Sequence, residues 1–471
     1  MSSTIDRPTC LRINAWNGVT AVESELSPKT PFAQIVQGRA IATWLAPLAE
    51  ADLRDWKHPD VGWGLVLLDN DDLSHDELAR GIDAPEPIRK LLLDRPGAPV
   101  LRWRPELQQS YLRRYYSNGK PPQDLSISAP KPGIKEGHIP RYLLIYATPK
   151  QIPWAVQYAL NMSTFVGRID LSGVALDNYV NALISDWPEN GCDPKAPLVW
   201  RVDHGSDDIT WLMARAVAAQ IWKKFESDVD LSRRTLLRDE SATQQALCAA
   251  LKEHNPGLII TTSHGMTGPL NDSTALKLNL GIPVDVNHQT ISMMEMADWQ
   301  PNGAIWYAHA CCSAGSDSES RYEKLFSPNS AIGLTLNSIA SGAGAVIAPM
   351  PSNLLGKSAP LRAFVGHVEP TFDWTLRDPN SGEVLTQVLC SALYNSLYLQ
   401  DRRTPIGFAL RNIFTEAGAF YGAWQDAVTG IDNNVPGMRD WALYRQLVAM
   451  DRQTLVILGD PTVALPQLSG I

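Results

Sequence analysis

Two short stretches of this 471-residue chain pair a side chain that can move a proton with one that can attack a carbonyl. His264 stands in Thr262-Ser263-His264-Gly265-Met266, at the end of the apolar run 257–262 (GLIITT). Cys311 and Cys312 stand in Ala310-Cys311-Cys312-Ser313-Ala314-Gly315-Ser316, just past the apolar run 304–308 (AIWYA) and His309. A neutral thiol is a poor nucleophile, whereas a thiolate beside an imidazolium is a good one. A histidine in that place takes the thiol proton and returns it to a leaving amine. Gly265 has no side chain to obstruct its backbone N–H, which with the N–H of Cys311 makes a donor pair for a developing oxyanion. The chemistry is acyl transfer from a peptide carbonyl through a thioester.

That chemistry requires the two stretches to be neighbours, and the surrounding pattern provides for it. Past residue 141 the chain alternates short apolar runs with amphipathic helical segments. The runs are 142–147 (YLLIYA), 197–202 (PLVWRV), 257–262, 304–308, 344–348 (GAVIA) and 454–458 (TLVIL). Runs that are apolar on both faces and separated by helices form a mostly parallel sheet covered on both sides. In such sheets ligands and reactive groups collect past the carboxyl ends of the strands. His264 and Cys311, 47 positions apart, both follow a strand there, with room between them for one crossover. After Asp203-His204-Gly205 a helix is expected, with Ser206 as its cap and Asp207 and Asp208 in its first turn, where acids favour the dipole. Ile209, Leu212, Met213, Ala216, Val217 and Ile221 follow the helical period.

Composition bounds the remaining possibilities. With 41 Lys+Arg against 50 Asp+Glu the formal net charge is −9, an acidic balance that argues against nucleic acid as a partner. The 44% hydrophobic and 19% charged content fits a globular chain and excludes a charge-rich disordered one. No apolar run reaches the length that spans a bilayer, so no membrane segment is expected. The opening MSSTIDRPTC lacks the basic and apolar regions of a secretory signal. Six scattered cysteines without a CxxC make neither a disulfide framework nor the usual zinc spacing, so no metal or cofactor is expected and a reducing cytoplasm is the expected compartment. No repeat period is visible.

The stretch 117–141, with five prolines and three glycines, reads as a linker. It sets off residues 1–116 as an accessory or regulatory region with helical stretches at 32–48 and 88–93 and a strand at Trp63–Leu68.

The strand-then-SHG and strand-then-AC arrangement resembles the caspase-like (clan CD) cysteine peptidases, and within them the bacterial gingipain-related C25-like branch. Supporting segments are 142–168, HGSDDIT at 204–210, TSHGM at 262–266, ACCSAGS at 310–316, VGHVE at 365–369 and VILGDPTVALP at 456–466. The likeness covers residues 140 to 471. It implies an α/β fold, a three-layer caspase-like sandwich around a mostly parallel sheet, with a strand-and-hairpin subdomain at 142–196 and a catalytic core at 197–471. It implies a Cys-His dyad peptidase acting on protein or peptide substrates without a cofactor, regulated through the N-terminal region by an activating partner, in bacterial signalling or defence.

Carried over residue by residue, His264 is the general base and acid, and Gly265 with Cys311 forms the oxyanion hole. Cys311 matches the Ala-Cys-x-x-Ala-Gly form of the bacterial branch, and Cys312 remains the alternative nucleophile through a Cys-x-x-Gly spacing. His204, Asp207, Asp317 and Glu369 are candidates for a specificity pocket. A buried acid among them would select Arg or Lys, while a structural His367–Glu369 pair is the plainer reading of the latter. The caspase pentapeptide and the metacaspase acid two residues before the cysteine are both missing, His309 standing in the latter place. The rival to a peptidase is a catalytically inactive scaffold or sensor of the same fold. A serine hydrolase or HExxH metal enzyme lacks its motif here.

Overall fold

The computed structural model describes residues 10–25, 51–188, 191–378 and 381–468. The helix expected at 32–48 lies outside the described residues.

One 12-stranded sheet organises the molecule. From edge to edge its strands are Thr235–Arg238, Leu198–Arg201, Leu258–Thr262, Ile305–His309, Ala363–His367, Leu455–Gly459, Phe165–Ile169, Tyr142–Tyr146, Trp63–Leu68, Val100–Trp103, Tyr111–Arg114 and Gln123–Ser126. The first five run parallel. Ala363–His367 and Leu455–Gly459 then pair antiparallel, with Val365 opposite Ile457. From Leu455–Gly459 to Val100–Trp103 the strands are again parallel to one another. Apart from Tyr111–Arg114 and Gln123–Ser126, which join antiparallel at the far edge, the sheet is thus two parallel halves of opposite direction, and their carboxyl ends open on opposite edges. His264 and Cys311 belong to the edge of the first half.

Strand periodicity explains the layering. Leu65, Leu67, Tyr142 and Leu144 join a core with Ile88 and Leu91 of the helix Glu86–Asp94 and with Tyr179 and Val180 of the helix Gly173–Ile184. The intervening Val66, Leu143 and Ile145 pack instead with Val156 and Leu160 of the helix Trp154–Asn161. Alternate residues point to opposite faces, and helices cover both. Among the described residues no helix is long and apolar enough to cross a membrane.

Four expectations need correction. The region before residue 117 does not stand apart, because Trp63–Leu68, Val100–Trp103 and Tyr111–Arg114 are strands of the same sheet. Nor is 117–141 a free linker, since Gln123–Ser126 forms the edge strand and Ile127 and Ile139 are buried. Proline and glycine marked irregular backbone there, and the side chains between them still found a core. The segment expected as a strand-and-hairpin unit is a strand–helix–strand unit whose strands Tyr142–Tyr146 and Phe165–Ile169 run parallel. Finally, 344–348 contributes only Val346–Ile347, which pairs with Gly315–Ser316 outside the large sheet.

Asp460 ties the early strands to the late ones. Its carboxylate accepts from Trp63 Nε1 at 2.9 Å and lies 3.3 Å from the Arg95 guanidinium, with both charged side chains essentially buried. Replacing it strands a buried cation. Asp460→Ala is expected to cost about 3–5 kcal/mol, read as a lower urea midpoint in a single transition shared by both halves of the sheet.

Candidate active site

Adjacent parallel strands deliver the two motifs. Leu258–Thr262 pairs with Ile305–His309 in a register that sets Thr262 opposite His309, and His264 and Cys311 each follow two residues later. Beyond the strands the backbones close together: a Cβ on Gly265 would collide with the Cys311 carbonyl oxygen and stand 2.9 Å from its amide nitrogen. Only glycine permits that approach.

His264 is fully buried, and its Nε2 donates to Asp208 Oδ2 at 2.8 Å. Asp208, not Ser206, caps the following helix Ile209–Met213, with Oδ1 accepting from Thr210 N at 2.7 Å and Thr210 Oγ1 at 2.6 Å. One oxygen therefore fixes the helix start and the other fixes the imidazole. Burial works to raise the Asp208 pKa, but the hydrogen bond and charge of His264 and the donors of Thr210 outweigh it and hold the carboxyl well below the usual range. With an ionised acceptor at Nε2, the proton resides there and Nδ1 presents its lone pair. Nδ1 is buried and has no hydrogen-bond partner.

The two cysteines are not equivalent. Cys311 is fully buried, with its Sγ directed to Cys312 Sγ at 3.4 Å. Burial and that sulfur contact push its thiol well above the ordinary range. Neither sulfur is bonded to His264 Nδ1 in this state. Cys312 takes a left-handed φ of 53°, which a non-glycine residue adopts only where its surroundings impose it. It lines a cavity of about 10 Å³ with Asp317, Ser320, Leu336, Ile339 and Glu369.

A strand that sequence reasoning missed lies over these groups. Cys10–Trp16 pairs in parallel with Gly265–Met266, Ala15 opposite Gly265 and Trp16 opposite Met266. Along the same edge Ile13 bridges Phe372 in antiparallel fashion, while the opposite edge pairs antiparallel with Ala21–Glu25, Ile13 opposite Val22. Asn14 N donates to Thr371 O at 3.3 Å, and Cys311 N donates to Asn14 O at 3.4 Å. The period-2 signal was present in CLRINAW, whose Leu11, Ile13 and Ala15 are all fully buried. Asp208 was also missed as a partner of His264. Its residue type was noticed only for the helix dipole, and nothing local announces the imidazole 56 residues later.

The expected pocket residues divide into two groups. His204 joins the imidazole side, its ring stacked at 5.6 Å on His264 and 4.2 Å on His288, while Trp16 stacks on His288 at 4.3 Å. Burial and the neighbouring His264 lower the His204 pKa, so its ring is neutral at neutral pH. Asp207 is exposed and borders a groove with Arg12, Ile13 and Glu23. Asp317 and Glu369 instead border the small cavity at Cys312, which is too small for an Arg or Lys side chain in this state. His367 and Glu369 form no pair: both ring nitrogens of His367 lack partners, and Glu369 accepts from Ser320 Oγ and Arg321 N, each at 2.9 Å.

Burial pushes the Glu369 pKa up to about 7. Between its ordinary 4.5 and that value the folded chain keeps a proton that the unfolded chain has released, so stability falls as pH rises through this window. Glu369→Gln is expected to remove that slope. Relative to wild type the variant should gain up to about 3 kcal/mol between the two ends of the window, measured by urea unfolding at a series of pH values.

Among the described residues, His204, Asp208 and His264 form the group whose ligand-capable atoms come within 4.8 Å of one another. Their fit to a metal is poor, because the two imidazole planes are stacked within 11° of parallel and an ion in the plane of one ring lies outside the plane of the other. Compared with known proteins, the chain matches no family model, no curated protein and no solved structure.

Proposed function

We propose that this chain is a cysteine endopeptidase with a caspase-like arrangement, in which Cys311 attacks a peptide carbonyl, His264 carries the proton and Asp208 orients His264. One observation carries the reading. A buried imidazole pinned through Nε2 by a partly buried carboxylate presents a bare Nδ1 at the sheet edge where the Cys311 N–H already meets a peptide carbonyl.

In the reaction, Nδ1 takes the Cys311 proton and the thiolate adds to the carbonyl carbon. The N–H groups of Cys311 and Gly265 hold the oxyanion. The protonated imidazole, stabilised by Asp208, gives its proton to the departing amine and leaves a thioester. Water, deprotonated by the same Nδ1, then hydrolyses the thioester and regenerates the thiol. Asp208 supplies what the dyad alone lacks, a fixed tautomer and a counter-charge. Cys311 is preferred to Cys312 because its own N–H faces the carbonyl and its backbone abuts Gly265.

A second reading, an inactive scaffold of the same fold, draws on the complete burial of the Cys311 thiol and its contact with Cys312. The signalling or defence setting belongs with the family resemblance, and the cytoplasmic one with the cysteine usage. A positional-scanning peptide library tests the peptidase reading against the His264→Ala form. Selective turnover lost in that form supports it. Turnover equal in both, or none by the chain even with the Cys10–Trp16 strand loosened as below, overturns it.

A further inference from the structure

Several regions invite a function. A cavity of about 470 Å³ opens at the carboxyl ends of the second half of the sheet, beside Asp69, Asp83, Tyr146, Thr148 and Asp170. Two of its three acids are already engaged, however, Asp83 by Arg102 and Asp69 by Tyr115 and Arg104. His309 and His367 meet as a buried edge-to-face pair at 5.0 Å, with nothing beside them that a ligand could reach. The strand across the candidate active site carries much more.

Cys10–Trp16 is held as an extended peptide would be held. Its Asn14 is the residue whose carbonyl meets the Cys311 N–H. In a parallel ladder with Ala15 opposite Gly265 and Thr267 N donating to Trp16 O at 2.8 Å, the Gly265 N–H faces that same carbonyl. The Asn14 N–H is bound by Thr371 O, and Ile13 one residue earlier pairs with Phe372. Residues before Asn14 thus lie against 371–372 and residues after it against 265–266, with the carbonyl at the catalytic groups. The Asn14 side chain is fully buried, and its Oδ1 accepts from Thr371 N at 2.8 Å.

We propose that Cys10–Trp16 is a built-in substrate mimic: it fills the peptide groove with Asn14 at the position of the residue cleaved, and it closes the site until it is displaced. The proposal rests on the peptidase reading of this site and adds to it both a regulatory element and a substrate class. The groove takes an extended strand with an apolar residue where Ile13 sits and a small amide where Asn14 sits. A longer side chain at the latter position has to displace its neighbours, and a carboxylate there would be buried with the Thr371 N–H as its donor, whereas the neutral amide leaves only its Nδ2 without a partner. The mimic is not cut because the thiol is turned toward Cys312 while Nδ1 has no proton to receive. Leu11, Ile13 and Ala15 share one apolar cluster with Cys311 and Cys312, which is how the strand keeps the sulfurs from solvent.

The test uses the full chain with Ile13→Glu, which places a charge in that cluster and drives the strand out. Three quantities are read: the rate of iodoacetamide alkylation at Cys311 by peptide mapping, hydrogen exchange of the Thr267 amide, and hydrolysis of acyl-Leu-Arg-Ile-Asn-aminocoumarin. Alkylation is expected to rise at least about tenfold as the Thr267 amide loses protection. The Asn peptide should be cleaved in preference to its Asp and Arg analogues, and a free peptide with the sequence of residues 11–16 should compete with it and be cut after its Asn. Asn14→Pro, which removes the N–H bound by Thr371 and keeps the apolar face, serves if Ile13→Glu does not fold. Alkylation and hydrolysis unchanged while Thr267 exchanges freely would overturn the proposal, as would an Arg analogue cleaved better than Asn. Alkylation that rises while no peptide of any sequence is cut confirms the closing strand and sinks the peptidase reading.

Discussion

Cys311→Ala, made in the Ile13→Glu chain, is expected to lower peptide hydrolysis by about 10⁴-fold or more, because it removes the sulfur that forms the thioester in the proposed mechanism. The substitution removes one sulfur from a cluster that includes Leu11, Ile13 and Ala15. It leaves the backbone N–H of residue 311 in place, so the oxyanion position survives and the loss reports the nucleophile alone. Cys312→Ala should act differently. Burial is the largest cause that raises the Cys311 thiol, the Cys312 contact comes next, and the charge of Glu369 adds to them. Without that contact the thiol sheds its proton more readily, and hydrolysis should stay within about tenfold of the parent. Single-turnover assays with mass-spectrometric capture of the acyl-enzyme distinguish the two cysteines. An acyl group found on Cys312, with activity intact in the Cys311→Ala form, would move the nucleophile by one residue.

Asp208→Asn is the second large effect, expected at about 10²- to 10⁴-fold in kcat with little change in KM. Asn caps a helix as well as Asp does, so the start of Ile209–Met213 is kept and the fold is not at issue. The imidazole is what changes. An amide NH₂ facing Nε2 makes that nitrogen an acceptor and moves the ring proton to Nδ1, the nitrogen that has to receive the thiol proton. The counter-charge for the imidazolium is lost as well. Because the Asp208 carboxyl lies well below the usual range, it stays ionised across neutral pH, and its loss should depress the whole pH–rate profile instead of shifting one limb. Unchanged kcat would mean that Asp208 serves the helix only.

The strands that carry His264 and Cys311 were legible because a buried parallel strand has to be apolar on both faces, and such runs stand out in any chain. Trp63–Leu68, Tyr142–Tyr146, Leu258–Thr262 and Leu455–Gly459 were recognisable on that ground. The strand Ala363–His367 was quoted only as part of a motif, since its small Gly366 and polar His367 interrupt the run. Residues 344–348 failed in the opposite direction: the composition suits a strand, but after the left-handed Gly344 only Val346 and Ile347 pair, with Ser316 and Gly315 outside the large sheet.

The amino-acid order by itself determined which side chains carry the chemistry, an imidazole and a thiol each following an apolar run, since reactivity and strand propensity are local properties. Only the tertiary structure decided what those side chains meet. Asp208 reaches His264 across 56 residues, and Asn14 reaches Cys311 across nearly 300. Such pairings are set by how strands register and how a buried charge or carbonyl finds its partner. That is a property of the folded sheet edge and leaves no period or composition along the chain.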